Sequence, residues 1–114
     1  MPRSSPVGTP GAEASRRRAR RSAAYRQEQA RLAPYEEIAR LVIKHRMRLE
    51  LTQAELAKRM GTSHSAISRI ESGQHPTTVA TLQRLAEALD LRFVVGFERG
   101  STKKPVRELV AVSR

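Results

Sequence analysis

Residues 51–73, LTQAELAKRMGTSHSAISRIESG, constrain the fold of this chain more than any other stretch. Thr52 is a good capping residue, and Glu55 stands three places on, the spacing of a capping box that opens a helix. Leu56, Ala57 and Met60 then fall on one face, while Gln53, Lys58 and Arg59 stay polar. Gly61 ends that helix where a left-handed residue is needed, a conformation glycine adopts without steric cost. Thr62 or Ser63 caps a second helix with Ala66, Ile67 and Ile70 on its buried face, and Gly73 ends it in turn. Ala57 is small where the two helices must cross; a larger side chain would push them apart. The spacing predicts two short helices joined by a glycine turn. The exposed face of the second, with Ser63, His64, Ser65, Ser68 and Arg69, is where function should be sought.

An ordinary helical hairpin in a small core would need only the apolar faces. Caps, small residue and turn glycine at these offsets ask for more, and LTQAELA, then G, then AIS-x-IE-x-G resembles the Cro/CI-type (Xre) helix-turn-helix family over residues 35–91. The resemblance implies an all-α, four- to five-helix, lambda-repressor-like domain that binds double-stranded DNA with its second motif helix in the major groove. It implies base contacts from His64, Ser65 and Arg69, the last able to donate its fork to O6 and N7 of a guanine. Ser63 and Ser68 lie on the same face, and Ser65 and Ser68 suit base or phosphate alike. Gln53 matches a position that grips phosphate in the family, and Thr62 with the free N–H groups at that helix end can do the same. Where the family commonly has two glutamines this chain has His64 and Ser65, which leaves the preferred DNA sequence open. Arg69 has a competing role as the surface partner of Glu55 or Glu71.

Charge separates the flanks from this middle. Residues 1–33 hold eight arginines against two glutamates (+6), residues 34–98 nine basic against eight acidic side chains (+1), and residues 99–114 five against one (+4). Basic flanks suit polyanions and also simply keep a small protein soluble. Residues 1–21, rich in Pro, Gly, Ser and Arg with the run RRRARR, are expected to form a disordered basic arm. Residues 22–33 are expected to form a weak helix. Pro34 suits the first turn of the next helix, over about residues 34–49, with Ile38, Leu41, Val42 and His45 inward. A fourth helix is expected to start at Pro76 and Thr77 and run to about Asp90, with Val79, Leu82, Leu85, Ala86 and Leu89 inward.

Residues 91–98 alternate as a strand does, and a lone strand needs a partner for its backbone groups. Two candidates offer themselves: the same strand of a second copy, which the reading favours as a dimer contact, or residues 106–112 folding back. Residues 99–114 otherwise read as a basic C-terminal tail.

The absence of cysteine excludes disulfides and thiolate chemistry, and the three histidines lack metal-ligand spacing, so neither metal nor cofactor is expected. His45 reads as a packed core or rim residue and His75 as a loop residue. With no apolar run long enough for a membrane and no signal peptide, a cytoplasmic protein is expected. An enzyme is disfavoured, because Ser65 or Ser68 near His64 would sit on an exposed helix with nothing to orient a base. A second, broader resemblance, over residues 24–97, is to HigA-type antitoxins. It implies an RelE-like ribonuclease toxin as partner, contacted along residues 22–48, and repression of the protein's own operon. A stand-alone Xre-type repressor without a toxin, or an architectural DNA binder without site preference, are the competing readings.

Overall fold

The computed structural model describes residues 10–112, with α1 over Pro10–Arg48, α2 over Gln53–Met60, α3 over His64–Ser72 and α4 over Val79–Ala88. Two strands follow, β1 over Phe93–Ser101 and β2 over Lys104–Val112. The chain divides into two compact units, Met1–Pro34 and Tyr35–Arg114. Among the described residues no helix is long and apolar enough to cross a membrane.

The N-terminal unit departs from the sequence reading. Residues 10–21 of the expected disordered arm are helical, and residues 22–33 belong to the same helix rather than to a separate weak one. Residues 1–9 of that arm lie outside the described residues. Alanine, arginine, glutamine and glutamate dominate this stretch, and all four rank among the best helix formers, which outweighs the mutual repulsion of the arginines. Pro34 stands inside α1 instead of opening a new helix. It has no N–H to give to the carbonyl four residues back, so the helix passes through at the cost of one backbone bond.

In the C-terminal unit the core gathers Val42, Leu56, Ala57, Met60, Ile67, Leu85 and Leu89, with Ile38, Leu49, Ile70, Leu82 and Ala88 packed around it. Leu56, Ile67 and Leu89 are completely enclosed. Each motif helix begins and ends as its caps require. The Thr52 hydroxyl accepts from the Glu55 N–H at 3.0 Å while the Glu55 carboxylate accepts from the Thr52 N–H at 3.0 Å. Ser63, of the two candidates, caps α3 and accepts from the Ala66 N–H at 3.1 Å. Gly61 and Gly73 have φ of 66° and 69°. α4 starts later than expected, behind Thr78, whose hydroxyl accepts from the Thr81 N–H at 3.2 Å. Two residues expected inward face out, Leu41 (54% exposed) and Val79 (53%). Val79 is the first residue of α4, where no preceding turn aims it at the core.

β1 finds its partner within the chain: β2 pairs with it antiparallel from Phe93 opposite Val112 to Ser101 opposite Lys104. The expected C-terminal tail is therefore largely a strand, and the second-copy pairing favoured for β1 is not needed to satisfy it. On one face of the hairpin Val106, Glu108 and Val110 stand across from Arg99, Phe97 and Val95.

Two mutational outcomes follow from these caps. A Cβ at Gly73 would lie 2.9 Å from the Glu36 Cα and 3.1 Å from its Cγ, whereas at Gly61 nothing lies within 4 Å. Gly73→Ala should therefore cost more than the roughly 1–2 kcal/mol of a left-handed residue, and Gly61→Asn less than about 1 kcal/mol; urea unfolding of both variants measures the difference. Backbone and then side-chain hydrogen bonding with Thr52 holds the Glu55 carboxyl below its ordinary value of 4.5. A depressed pKa gives stability that is whole above pH 4.5 and fades as pH falls through the lower folded-state value. Thermal melts from pH 7 to pH 3 should show a shallower acid-side loss in Glu55→Gln than in the wild type.

Candidate nucleic-acid interface

What aims α3 is a chain of hydrogen bonds beneath it. Arg46, near the end of α1, grips Glu71 of α3 in a two-pronged pair, Nε to Oε2 at 2.7 Å and Nη2 to Oε1 at 2.9 Å, and gives Nη1 to the Leu51 carbonyl at 2.9 Å. The Glu71 side chain is only 4% exposed and that of Arg46 15%. The Glu71 carboxylate raises the Arg46 pKa above its ordinary value, chiefly through the hydrogen bonds and despite burial. Gln53, the first residue of α2, donates Nε2 to the same Glu71 Oε1 at 3.0 Å. Its Oε1 then faces α3, with the Ser68 hydroxyl donating to it at 3.0 Å and His64 Nε2 at 2.8 Å. Because the carboxylate orients the amide, Oε1 can only accept; His64 Nε2 therefore carries the hydrogen and Nδ1 is the atom left free in the neutral ring.

These bonds tie α1, α2 and α3 into one rigid support. Glycine caps do the rest: the Thr62 N–H donates to the Ala57 carbonyl at 2.9 Å, which turns the chain sharply from α2 into α3.

The residues expected to meet DNA lie on one side of this support, but not all in the same condition. Ser63, His64, Ser65, Ser68 and Arg69 are exposed, and Gln53 and Thr62 half-buried. The Ser63 hydroxyl is committed to its cap and lies 3.2 Å from that of Ser65. Gln53 has one amide hydrogen left over after Glu71. Arg69 has no carboxylate partner among the described residues, because Glu71 is held by Arg46 and Glu55 by its capping box. Its surface partnership with either is thereby excluded in this arrangement. Arg69 borders a groove of about 270 Å³ shared with Thr62, His75, Thr77, Thr81 and Arg84.

Three other arginines of the unit close backbone carbonyl groups. Arg48 gives Nη2 to the Leu89 carbonyl at 3.3 Å, Arg59 gives Nη1 to that of Ala88 at 3.0 Å, and Arg84 donates to that of Met60. His45 sits at the rim of the core, half-buried, its Nδ1 accepting from Arg48 Nε at 3.2 Å. Sequence reasoning missed the Arg46–Glu71 pair, giving Glu71 only a candidate surface role beside Arg69. The signal available was a glutamate beside two apolar helix positions, on a face too buried for an unpaired charge.

Comparison with known proteins agrees with this geometry. The helix-turn-helix family HTH_3 matches residues 42–95. An uncharacterised HTH-type transcriptional regulator of Methanothermobacter thermautotrophicus is 39% identical over 49 residues, 43% of this chain and 71% of that protein. The chain belongs to the HTH_3 helix-turn-helix family. As such it is a DNA-binding protein of the transcriptional-regulator type. Among solved structures, the restriction-modification controller protein C.AhdI from Aeromonas hydrophila superposes with a TM-score of 0.51 at 27% identity, over 53% of this chain and 87% of that one. An HTH_3 family transcriptional regulator from Vibrio cholerae gives 0.50 at 27% identity, over 53% of this chain and 34% of that one. The HTH_3 match begins at Val42 and ends at Val95, so the N-terminal part of α1 and strand β2 lie outside it.

Removing one partner of the Arg46–Glu71 pair should leave the other charge unpaired in a mostly enclosed position. Arg46→Ala is expected to cost about 3 kcal/mol in urea unfolding. Glu71→Gln, which keeps the shape and part of the bonding, should cost less.

Proposed function

We propose that this HTH_3 protein is a sequence-specific transcriptional repressor that reads an operator with α3 and does so as a homodimer. The observation that carries the reading is an exposed guanidinium, Arg69, on a helix held from beneath by its own buried network, while Glu71 and Glu55 are occupied elsewhere. A fork donor so placed suits the O6 and N7 edge of a guanine in the major groove. His64 and Ser65, near the start of α3, reach adjacent base edges, and Ser68 base or phosphate. Thr62, Ser63 and the second amide hydrogen of Gln53 meet the phosphates.

The dimer has support in what the hairpin leaves uncovered. Phe97 is 87% exposed, and Val110, on the same face of the hairpin, also stands largely in solvent. Such apolar side chains on one hairpin suit a two-fold contact, in which the same patch serves both copies. Sedimentation at micromolar concentration should give a dimer, and Phe97→Lys a monomer; a wild-type monomer would reject this part of the reading.

A HigA-like antitoxin role, with an RelE-like toxin bound along residues 22–48, is a narrower version that rests on sequence resemblance alone. Affinity capture tests it: a stoichiometric small partner that arrests growth unless this chain is present would support it, and operator DNA without a protein partner would leave the plain repressor.

The central test is Arg69→Ala. The substitution should cost about 1–3 kcal/mol on the operator, selected from a random pool with the wild-type protein, and relax preference at one base pair. An equal loss on operator and random DNA would reduce Arg69 to a phosphate contact.

A further inference from the structure

The run RRRARR, residues 16–21, lies in the helical N-terminal part of α1 and outside the HTH_3 match. At about 100° per residue, its five arginines fan across roughly 200° of the helix circumference in the order Arg16, Arg20, Arg17, Arg21, Arg18. Every residue of the run is exposed. Residues 10–34 carry seven arginines against Glu13 and Glu28 only. Arg31 takes Glu28 with two hydrogen bonds, at 3.1 and 2.6 Å, and Arg17 stands 3.9 Å from Glu13. Arg20 and Arg21 have no carboxylate partner among the described residues. Arg16 and Arg20, Arg17 and Arg21, Arg17 and Arg20, and Arg18 and Arg21 stand three or four residues apart, the spacings at which like charges oppose a helix. This helix forms against its own electrostatics, and a polyanion would remove that opposition.

We propose that residues 16–21 are a second DNA-contacting element of the chain, a helix that binds the phosphates of a duplex without reading its bases and is stabilised by them. The width of the cationic arc selects the partner. A helix is about 10–12 Å across with side chains, the major groove of B-form DNA is about 12 Å wide, and phosphates stand on both of its rims. A membrane presents charge on one side and demands a large apolar face on the other. Opposite the arginines this helix has Ala12, Ser15, Ala19 and Ala23, which bury almost nothing. The deep, narrow major groove of A-form RNA does not admit such a helix. Covalent attachment to a helix-turn-helix unit also keeps duplex DNA at high effective concentration. The inference rests on DNA being the ligand of this chain, and is independent of how α3 reads an operator.

The test uses the full chain on a 30-bp random duplex that holds no operator, with binding followed by fluorescence anisotropy across a salt series. A variant carrying Arg17→Gln, Arg18→Gln, Arg20→Gln and Arg21→Gln keeps helix propensity and loses the charge. Its plot of log affinity against log salt should be shallower than the wild type by about 2–4, at about 0.9 for each phosphate that is no longer neutralised. The same four positions changed to lysine should keep the wild-type slope. Thermal melts followed by circular dichroism at 222 nm, after subtraction of the free duplex, should show the duplex stabilising helix in the wild type more than in the glutamine variant. An unchanged slope in the glutamine variant, with binding intact, overturns this proposal alone. Tighter wild-type binding to single-stranded RNA, abolished in the glutamine variant, overturns the choice of duplex. Arg69→Ala on the same random duplex should lower the slope by at most one phosphate's worth, so failure of operator reading is seen separately.

Discussion

The bidentate pair between Arg46 and Glu71 is the interaction on which the rest of the DNA-binding unit depends. Glu71 lies on the inner side of α3, where an isolated carboxylate would be heavily penalised, and Arg46 reaches it from α1 with the fork geometry that lysine lacks. The carboxylate in turn orients the Gln53 amide, and the amide orients Ser68 and His64. A single buried charge thus determines where three side chains on two elements point. Gly73 completes the arrangement at the far end of α3, letting the backbone come against Glu36 where any side chain would intrude.

The neutral charge of the middle of the chain conceals a division of labour among its cations. Arg48, Arg59 and Arg84 close the carbonyl ends of helices or the turns after them, and Arg46 neutralises a buried acid. Arg69 is spent on none of these. That one uncommitted arginine faces out from α3 is therefore a property of the whole unit and not of the recognition helix alone. The net positive charge of the chain sits instead in its flanks, +6 in residues 1–33 and +4 in residues 99–114.

What the amino-acid sequence makes legible is local. The capping box at Thr52 and Glu55, the serine cap at Ser63 and the left-handed glycines at 61 and 73 depend on neighbours within four residues, and all stand where the spacing places them. The core residues Leu56, Ala57, Met60, Ile67, Leu85, Ala86 and Leu89 are legible for the same reason, through helical spacing. Contacts between distant residues are not: Arg46 and Glu71 are 25 positions apart, and either has a plausible local role. The N-terminal helix escapes the sequence reading because charge repulsion and alanine-rich propensity point in opposite directions, and spacing does not rank them. Pro34 reads as a helix start because that is where its missing N–H costs nothing, yet the helix on both sides carries it as an interior residue. For the strand, two partners satisfy the same backbone groups, and the nearer one in sequence is the one found.

The hairpin has apolar side chains on both of its faces, so burial alone discriminates weakly between alignments of its strands. Its charges supply the missing discrimination. In the observed alignment Glu98 faces Arg107 and the two bond at 2.9 Å, while Arg99 reaches Glu108 across the diagonal at 3.2 Å. Sliding one strand by a single position would set Glu98 against Glu108 and Arg99 against Arg107; sliding it the other way would set Glu98 against Val106 and Phe97 against Arg107. Four exposed residues that contribute little to stability in the correct alignment thus act as an error check, penalising the wrong pairings that an apolar ribbon would otherwise tolerate.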